Sequence, residues 1–511
     1  MNITRKTLLS FSLILLTGCA KEKDIPLPVT SSSPEAVELF NTGIRHQLNH
    51  DFLLQPRYLK KALDLDPDFV LANLWINEPD PSKWLAHREK AISNKANVSD
   101  AERILVDMAV AQRENRITGA IKLGEELVEK YPNSSDAYVH LGNAMKGLND
   151  FDRAEENYLK ALEINPENLR ALWQFTSHHM NVYIGQVMRP KEQQDKTLAR
   201  SYIDKMIKIS PDAGSFLQMR GNLLRANSDF EGAKEWYSRT LESRDSQNLP
   251  KAGILGVIAH NLLFNGEAEE AHKFYNRSID ASVRPAQKIG QWNFKLQAYL
   301  FVGDYAGAIK AADNVLAQID DFGFSQTELY QNKRAIEFRK FLAAAHSNNR
   351  EQAYKSINLF KSYGEKELSL LENDEIRRQN LAVADIGNEA WLYILFGEYN
   401  KANAKLEDLY SIVNKIEGPN SLIDYRAMKG MIALSNGDPA GALQYLDDNI
   451  GTENYQYYSY YKALALKSLG RQEEALSIFE ALANYNFNSW GASLVRSLSE
   501  KQLTAFYQRN N

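Results

Sequence analysis

From residue 34 onward, apolar residues recur three and four positions apart, the spacing of one face of an α-helix. No stretch alternates strictly between apolar and polar, as a half-buried strand would. The pattern is clearest between Ser135 and Asn168. Tyr138, Leu141 and Met145 form one apolar stripe there, and Ala154, Tyr158 and Ala161 form a second, with the polar break Asn149–Asp150 between them. Pro166 closes the second stripe, because proline lacks an N–H and disfavours a helical residue before it. Gly142, Ala154 and Ala161 are small where Tyr138, Leu141, Met145 and Tyr158 are large, so two antiparallel helices can pack closely.

The unit recurs. With Ala154 as the ruler, equivalents stand at Ala120, Ala199, Ala233, Ala271, Ala308, Ala353, Ala402, Ala442 and Ala475, at intervals of 33 to 49 residues. Six turns repeat one theme, at Asn149-Asp150, Ser228-Asp229, Gly266-Glu267, Gly303-Asp304, Gly397-Glu398 and Gly437-Asp438, where a glycine or short polar residue ends one helix. Ser99-Asp100-Ala101-Glu102 is a capping box, and Ser33-Pro34-Glu35 reads as the start of the first helix. Residues 58–67 look like a second helix with its closing proline, whereas residues 69–95, with Trp75 and Trp84, fit the pattern poorly. One helix pair cannot hide its apolar face, but stacked pairs share a continuous core. The expectation is about ten antiparallel pairs over residues 34–483, then a closing helix with a polar outer face over 484–511. Insertions fall near 176–196, 317–333 and 361–380, the last a candidate seam.

An aromatic, Leu-Gly, Ala, Tyr, Ala and Pro stand at Tyr138, Leu141-Gly142, Ala154, Tyr158, Ala161 and Pro166. With these, residues 135–168 resemble a tetratricopeptide (TPR) repeat. The resemblance implies an all-α, TPR-type α-solenoid wound into a right-handed superhelix. The first helix of each pair would line a concave groove for protein or peptide partners. The groove residues so implied are Asn143, Lys146, Gln218, Asn222, Arg225, His260, Asn293, Gln297 and Lys467. Asn143 and Asn222 match the asparagine with which chaperone adaptors of this family hold a peptide backbone or terminal carboxylate. The lysine those adaptors place four residues earlier is replaced by Val139 and Gln218, so the clamp is incomplete. What remains is an amide-lined groove suited to peptide backbone or to sugar hydroxyls.

The amino terminus adds a second resemblance. Arg5 and Lys6 precede a short apolar run, Leu8 to Leu16, that cannot span a bilayer as a helix. Leu16-Thr17-Gly18-Cys19 then resembles a bacterial lipoprotein signal, which implies cleavage of residues 1–18 and lipid (acyl chains such as palmitate) on Cys19. Cys19 is the only cysteine, so no internal disulfide forms. Ala20 in place of an aspartate favours the outer membrane, on the periplasmic face or the cell surface. Lys21-Glu22-Lys23-Asp24 reads either as a surface-export signal or as a solvated spacer. With Pro26, Pro28 and Ser31 to Ser33, residues 19–33 have the composition of a flexible tether.

Charge and chemistry narrow the function further. The formal net charge is −5, and without Arg5 and Lys6 it becomes −7, from 58 basic against 65 acidic residues. A mild acidic excess gives no basis for nucleic-acid binding. There is no phosphate-cradling glycine loop, no Gly-x-Ser-x-Gly elbow and no Cys–His pair, so no enzyme and no cofactor is expected. The acidic pairs Glu125-Glu126, Glu155-Glu156, Glu269-Glu270 and Glu473-Glu474 recur at one repeat position and read as solvated helix faces. His46 and His50 stand one turn apart, but no third metal ligand is evident, and His178-His179 falls in an insertion. The tyrosine run 455–461 either packs between units or forms an exposed contact. The combined expectation is a membrane-anchored TPR scaffold or adaptor lipoprotein that binds envelope proteins or peptides in its concave groove. The alternative is a glycan-binding outer-membrane lipoprotein of a polysaccharide uptake system, holding an oligosaccharide.

Overall fold

The structure, a computed structural model, describes residues 23–49, 51–180, 189, 193–371, 374–446 and 455–510. The expected signal segment and Cys19 lie outside these residues, as do His50 and most of the insertion at 181–192. The regular elements of the described residues are all helices, with no strand. They form twelve antiparallel helix pairs and a final helix, Trp490–Asn510, rather than about ten pairs. Ten pairs carry a ruler alanine, and the other two are at the amino end: Pro34–Leu48 with Gln55–Leu65, and Val70–Trp75 with Pro81–Asn94. Val70–Trp75 has only six residues, under two turns, so its period is too short to show in the sequence.

The core follows the small-against-large logic. Every ruler alanine from Ala120 to Ala475 is at most 3% exposed. A Cβ on Gly142 would lie 2.5 Å from Tyr158 Cε1 and 2.9 Å from the Ala154 carbonyl, and one on Gly221 would run into the Tyr237 ring in the same way. Tyr158 and Tyr237 are fully buried, each contributing on the order of 2–3 kcal/mol by leaving water. The two wide intervals between Ala308 and Ala402 come from longer helices, Gln326–His346, Arg350–Leu368 and Glu375–Leu395, of 21, 19 and 21 residues. Described residues on the two sides of the candidate seam near 361–380 are in contact. Arg377 donates to Glu367 at 2.6 Å across it, and one apolar cluster runs from Leu300 to Val495.

Each of the six expected turns has one residue at positive φ, Asn149 and Ser228 among them, and Asn115, Asn348 and Gly470 add three more. The next carboxylate caps the following helix: Asp150 accepts from Arg153 N, Asp229 from Gly232 N and Asp304 from Gly307 N. These turns form one edge of the ribbon of helices, and the links between pairs form the other. The two edges meet seven pairs apart. Ser82, in the second pair, hydrogen-bonds Thr327 in the ninth at 2.8 Å. Arg113, in the third, pairs with Asp374 of the tenth at 2.7 Å. Asn149, in the fourth, exchanges amide hydrogen bonds with Asn420, just before the eleventh. The solenoid thus winds through a full turn, and the second turn rests on the first.

Both described ends of the chain dock on this body. Residues 24–33 are not a free tether. Asp24 accepts from Ser135 N, Ser135 Oγ and Asn165 Nδ2, all at 2.9 Å, and Ile25 N donates to the Asn133 carbonyl. Thr30 donates to Glu102, and Ser31 and Ser32 donate to Asp66. The segment is therefore a strap along the between-pair edge, running backward from the fourth pair to the first. Ser33 then caps the first helix as expected. At the other end, residues 491–495 are buried on every side rather than on one face, so the final helix is not a simple cap.

Candidate functional site

The expected groove residues stand on or beside the first helices of their pairs, and their surroundings divide this face into two halves. In the fourth pair Asn143 and Lys146 are half-buried, and Lys146 donates to Gln174 at 3.1 Å. Burial pushes the Lys146 ammonium down to about 8. His140, on the same helix, stacks on Trp75 at 6.0 Å, and the Arg170 guanidinium lies over the same indole. Burial, with Arg170 beside it, pushes His140 down to about 4, so it is neutral. Asp136, whose pKa stays below its ordinary value, faces Arg170 at 3.8 Å. This half combines one carboxylate, two cations and two amides around an aromatic floor.

In the middle pairs the same face is filled by the chain itself. Residues 484–489 run along it without helical structure and lead into Trp490–Asn510. Arg225 Nε donates to the Asn486 carbonyl at 3.1 Å, and its guanidinium lies over Tyr237, Phe264 and Phe487. Asn486 Nδ2 donates to Ser228 Oγ, and Ser489 Oγ donates to Gln456. Ala492 joins Ala259, Leu263, Phe264, Ala298 and Phe301 in one apolar cluster. Lys467 donates to Gln502 of the same final helix. Asn222, Arg225, His260 and Gln297 are consequently at most 3% exposed, while Gln218 and Asn293 remain half-buried. Burial, with Arg225 nearby, pushes His260 well below its ordinary value.

The two groove asparagines have a task the sequence did not reveal. Tyr158 donates to Asn143 Oδ1 at 2.8 Å, and Tyr237 donates to Asn222 Oδ1 at 2.9 Å. Each asparagine thus ties the two helices of its own pair. Sequence reasoning also missed Asn486, Phe487 and Asn488. The one signal was the alternation of Tyr485 and Phe487 with asparagines in the link before the final helix.

Three further clusters differ from expectation or resolve it. Glu155 is not a solvated face residue: it accepts from Arg189 Nε at 2.6 Å and lies 3.1 Å from His178 Nδ1 and 3.3 Å from His179 Nε2. Burial alone would raise its pKa, but the hydrogen bonds from His178, His179 and Arg189 win and hold it well below the usual carboxylate range. The tyrosine run packs between units. Tyr457, 1% exposed, receives a hydrogen bond from Trp391 Nε1 and sits 3.1 Å from His346 Nε2. His46 stacks on Tyr58, 3.7 Å from Asp51. Among the described residues no group of three or more His, Cys, Asp or Glu is placed to hold a metal, and no helix is long and apolar enough to cross a membrane.

Comparison with known proteins agrees with the repeat. Residues 135–168 match the tetratricopeptide repeat family model. A TPR repeat-containing protein of Methanocaldococcus jannaschii, MJ1428, is 23% identical over 364 residues, 70% of this chain and 55% of its own length. The human protein O-mannosyl-transferase TMTC3 is 26% identical over 187 residues, 36% of this chain and 20% of its own. The chain thus spans about half of one relative and a fifth of the other. Among solved structures, a tetratricopeptide repeat protein from Parabacteroides merdae aligns at 14% identity and TM-score 0.33, over 55% of this chain and 97% of that one. The Cut9–Hcn1 assembly of the APC/C aligns at 13% identity and TM-score 0.34, over 87% of this chain and 75% of that one. Residues 135–168 are a tetratricopeptide repeat, and the chain is an all-α solenoid built around it.

Proposed function

We propose that the protein is a lipid-anchored scaffold of a bacterial envelope that holds protein or peptide partners on the open half of its inner face. One observation carries the binding reading. The middle pairs already hold a segment of this kind, residues 484–499, by a guanidinium on a backbone carbonyl, an aromatic against that guanidinium and a helix laid on an apolar strip. The fourth and fifth pairs present Asp136, Asn143, Lys146, Arg170 and Gln174 on the equivalent face, with side chains still partly open. An extended peptide or the end of a partner helix suits that surface, because polar side chains there can take main-chain groups while Trp75 supplies an apolar floor. The anchor rests on Leu16-Thr17-Gly18-Cys19, with outer-membrane placement favoured by Ala20.

Affinity purification from detergent-solubilised membranes tests the binding half. The wild-type chain is expected to retain defined partners, and Lys146→Glu to retain at least tenfold less of them. Equal retention by the two, or none by either, removes the inner face as the site. Cys19→Ser is expected to move the protein from the membrane to the soluble fraction; a variant that stays on the membrane removes the anchor.

A further inference from the structure

We infer that the edge of the first superhelical turn carrying the strap is the face the protein lays toward a lipid surface, with the second turn stacked away from it. The inference rests on the lipid anchor proposed above and adds an orientation that the anchor alone does not give. A tether of fifteen loose residues would leave the solenoid free to tumble. The strap shortens it. Asp24 is held by Ser135 and Asn165, and Ile25 by Asn133, so the docked chain begins five residues after Cys19. Whatever path those five residues take, they reach no more than about 18 Å. With acyl chains on Cys19 in the bilayer, the turns at 131–134 and 165–168 lie within that distance of the headgroups.

The geometry of the superhelix then fixes which end faces away. The opposite edge of the first turn is covered: Arg113 meets Asp374, Thr118 N donates to Glu417 and Asn149 meets Asn420. The strap edge is therefore an axial end of the superhelix. The eleventh pair stands directly above the fourth, joined through Asn149 and Asn420, and its own turn at Asn436–Gly437 is at the far end. Helices of 11 to 14 residues rise 1.5 Å per residue, so two stacked layers place Asn436 on the order of 40 Å above the strap edge. Exposed Ile25, at 55%, sits on the lower face, where an apolar side chain gains from a lipid interface. The open inner face of the fourth pair would then lie in the membrane-proximal layer, and partners would be held close to the bilayer.

Energy transfer to headgroup-labelled lipid measures this directly. The full lipidated chain is bound to phosphatidylethanolamine–phosphatidylglycerol vesicles, with one fluorophore on Glu167→Cys, beside the strap, or on Asn436→Cys, at the far end; both positions are exposed. The expected result is transfer several-fold stronger from position 167 than from 436. In Asp24→Ala, which lengthens the free tether, the contrast should fall at least twofold. Protein that floats with the vesicles but transfers equally from both positions overturns the orientation alone. Contrast unchanged by Asp24→Ala overturns the strap as its cause. Protein that does not float overturns the anchor and the orientation with it.

Discussion

The fourth and sixth helix pairs are built alike and end up in different surroundings. Both lock a glycine against a tyrosine ring, and both tie that tyrosine to an asparagine one position further on. Yet Lys146 remains half-open beside Gln174, while Arg225 is sealed under Phe487 and Asn486. Repeat chemistry accounts for the likeness. The difference comes from the winding of the whole array, which carries the carboxyl-terminal segment back over the middle pairs. Position in the superhelix, rather than the residues of a repeat, decides which part of the inner face is free.

The comparison breaks most severely at the lock. Gly142→Leu and Gly221→Leu each push a side chain into a tyrosine ring, so each is expected to destabilise by about 3 kcal/mol or more in urea unfolding. Unequal losses would mean that the two locks are not the same device. Acid is the next lever. His140 in the open half and His260 in the filled half are neutral in the fold, with pKa values below the 6.5 of an unfolded histidine. The folded chain then binds fewer protons than the unfolded one, so stability falls as pH drops from about 6.5 toward about 4. Glu155 works in the same direction by the opposite route. Its depressed pKa contributes stability above the unfolded value of 4.5 that is lost as pH falls further. Urea midpoints at pH 7.5, 6 and 5 should descend in that order. His140→Asn and His260→Asn should each flatten the slope; an unchanged slope would assign the acid sensitivity elsewhere.

A smaller effect separates the two cations. Arg225→Ala removes a charged donor from a buried carbonyl and a stack with Phe487, an expected loss of about 2 kcal/mol, with hydrogen exchange over residues 486–495 accelerated at least tenfold. Lys146→Ala should change stability by under about 0.5 kcal/mol, since the cost of desolvating its ammonium offsets its bond to Gln174. The smallest contrast is in the hydroxyls. Tyr237→Phe leaves Asn222 Oδ1 buried without its donor, an expected loss of about 1–2 kcal/mol. Tyr158→Phe should lose about half as much, because Asn143 is partly open to water.

What the sequence made legible was local. Capping at Ser33 and Ser99, the left-handed turns and the alanine ruler each depend on a few neighbouring residues, and each is found where the pattern put it. The strap was not legible, because Pro26, Pro28 and the serines at 31–33 have the composition of a loose spacer. The strap's hydrogen-bond partners, Ser135 and Asn165 for Asp24, Glu102 for Thr30 and Asp66 for Ser31 and Ser32, are set by how four pairs stack. The burial of Arg225 and Gln297 was not legible, because covering them requires the accumulated rotation of the pairs that follow. Glu155 was misread for a related reason: its partners come from the end of the next helix and from the insertion beyond it.

The meeting of Arg225 with Asn486 has a consequence for cooperativity. An open array of repeats melts from its ends, because each unit answers only to its neighbours, and it tolerates shortening one unit at a time. Here residues 261 positions apart in the chain share a buried bond, and the same separation joins Arg113 to Asp374. The array is closed on itself, so fraying at the carboxyl end removes the cover from the sixth pair as well as from the twelfth. Such a chain should unfold as a ring gives way, in one concerted step.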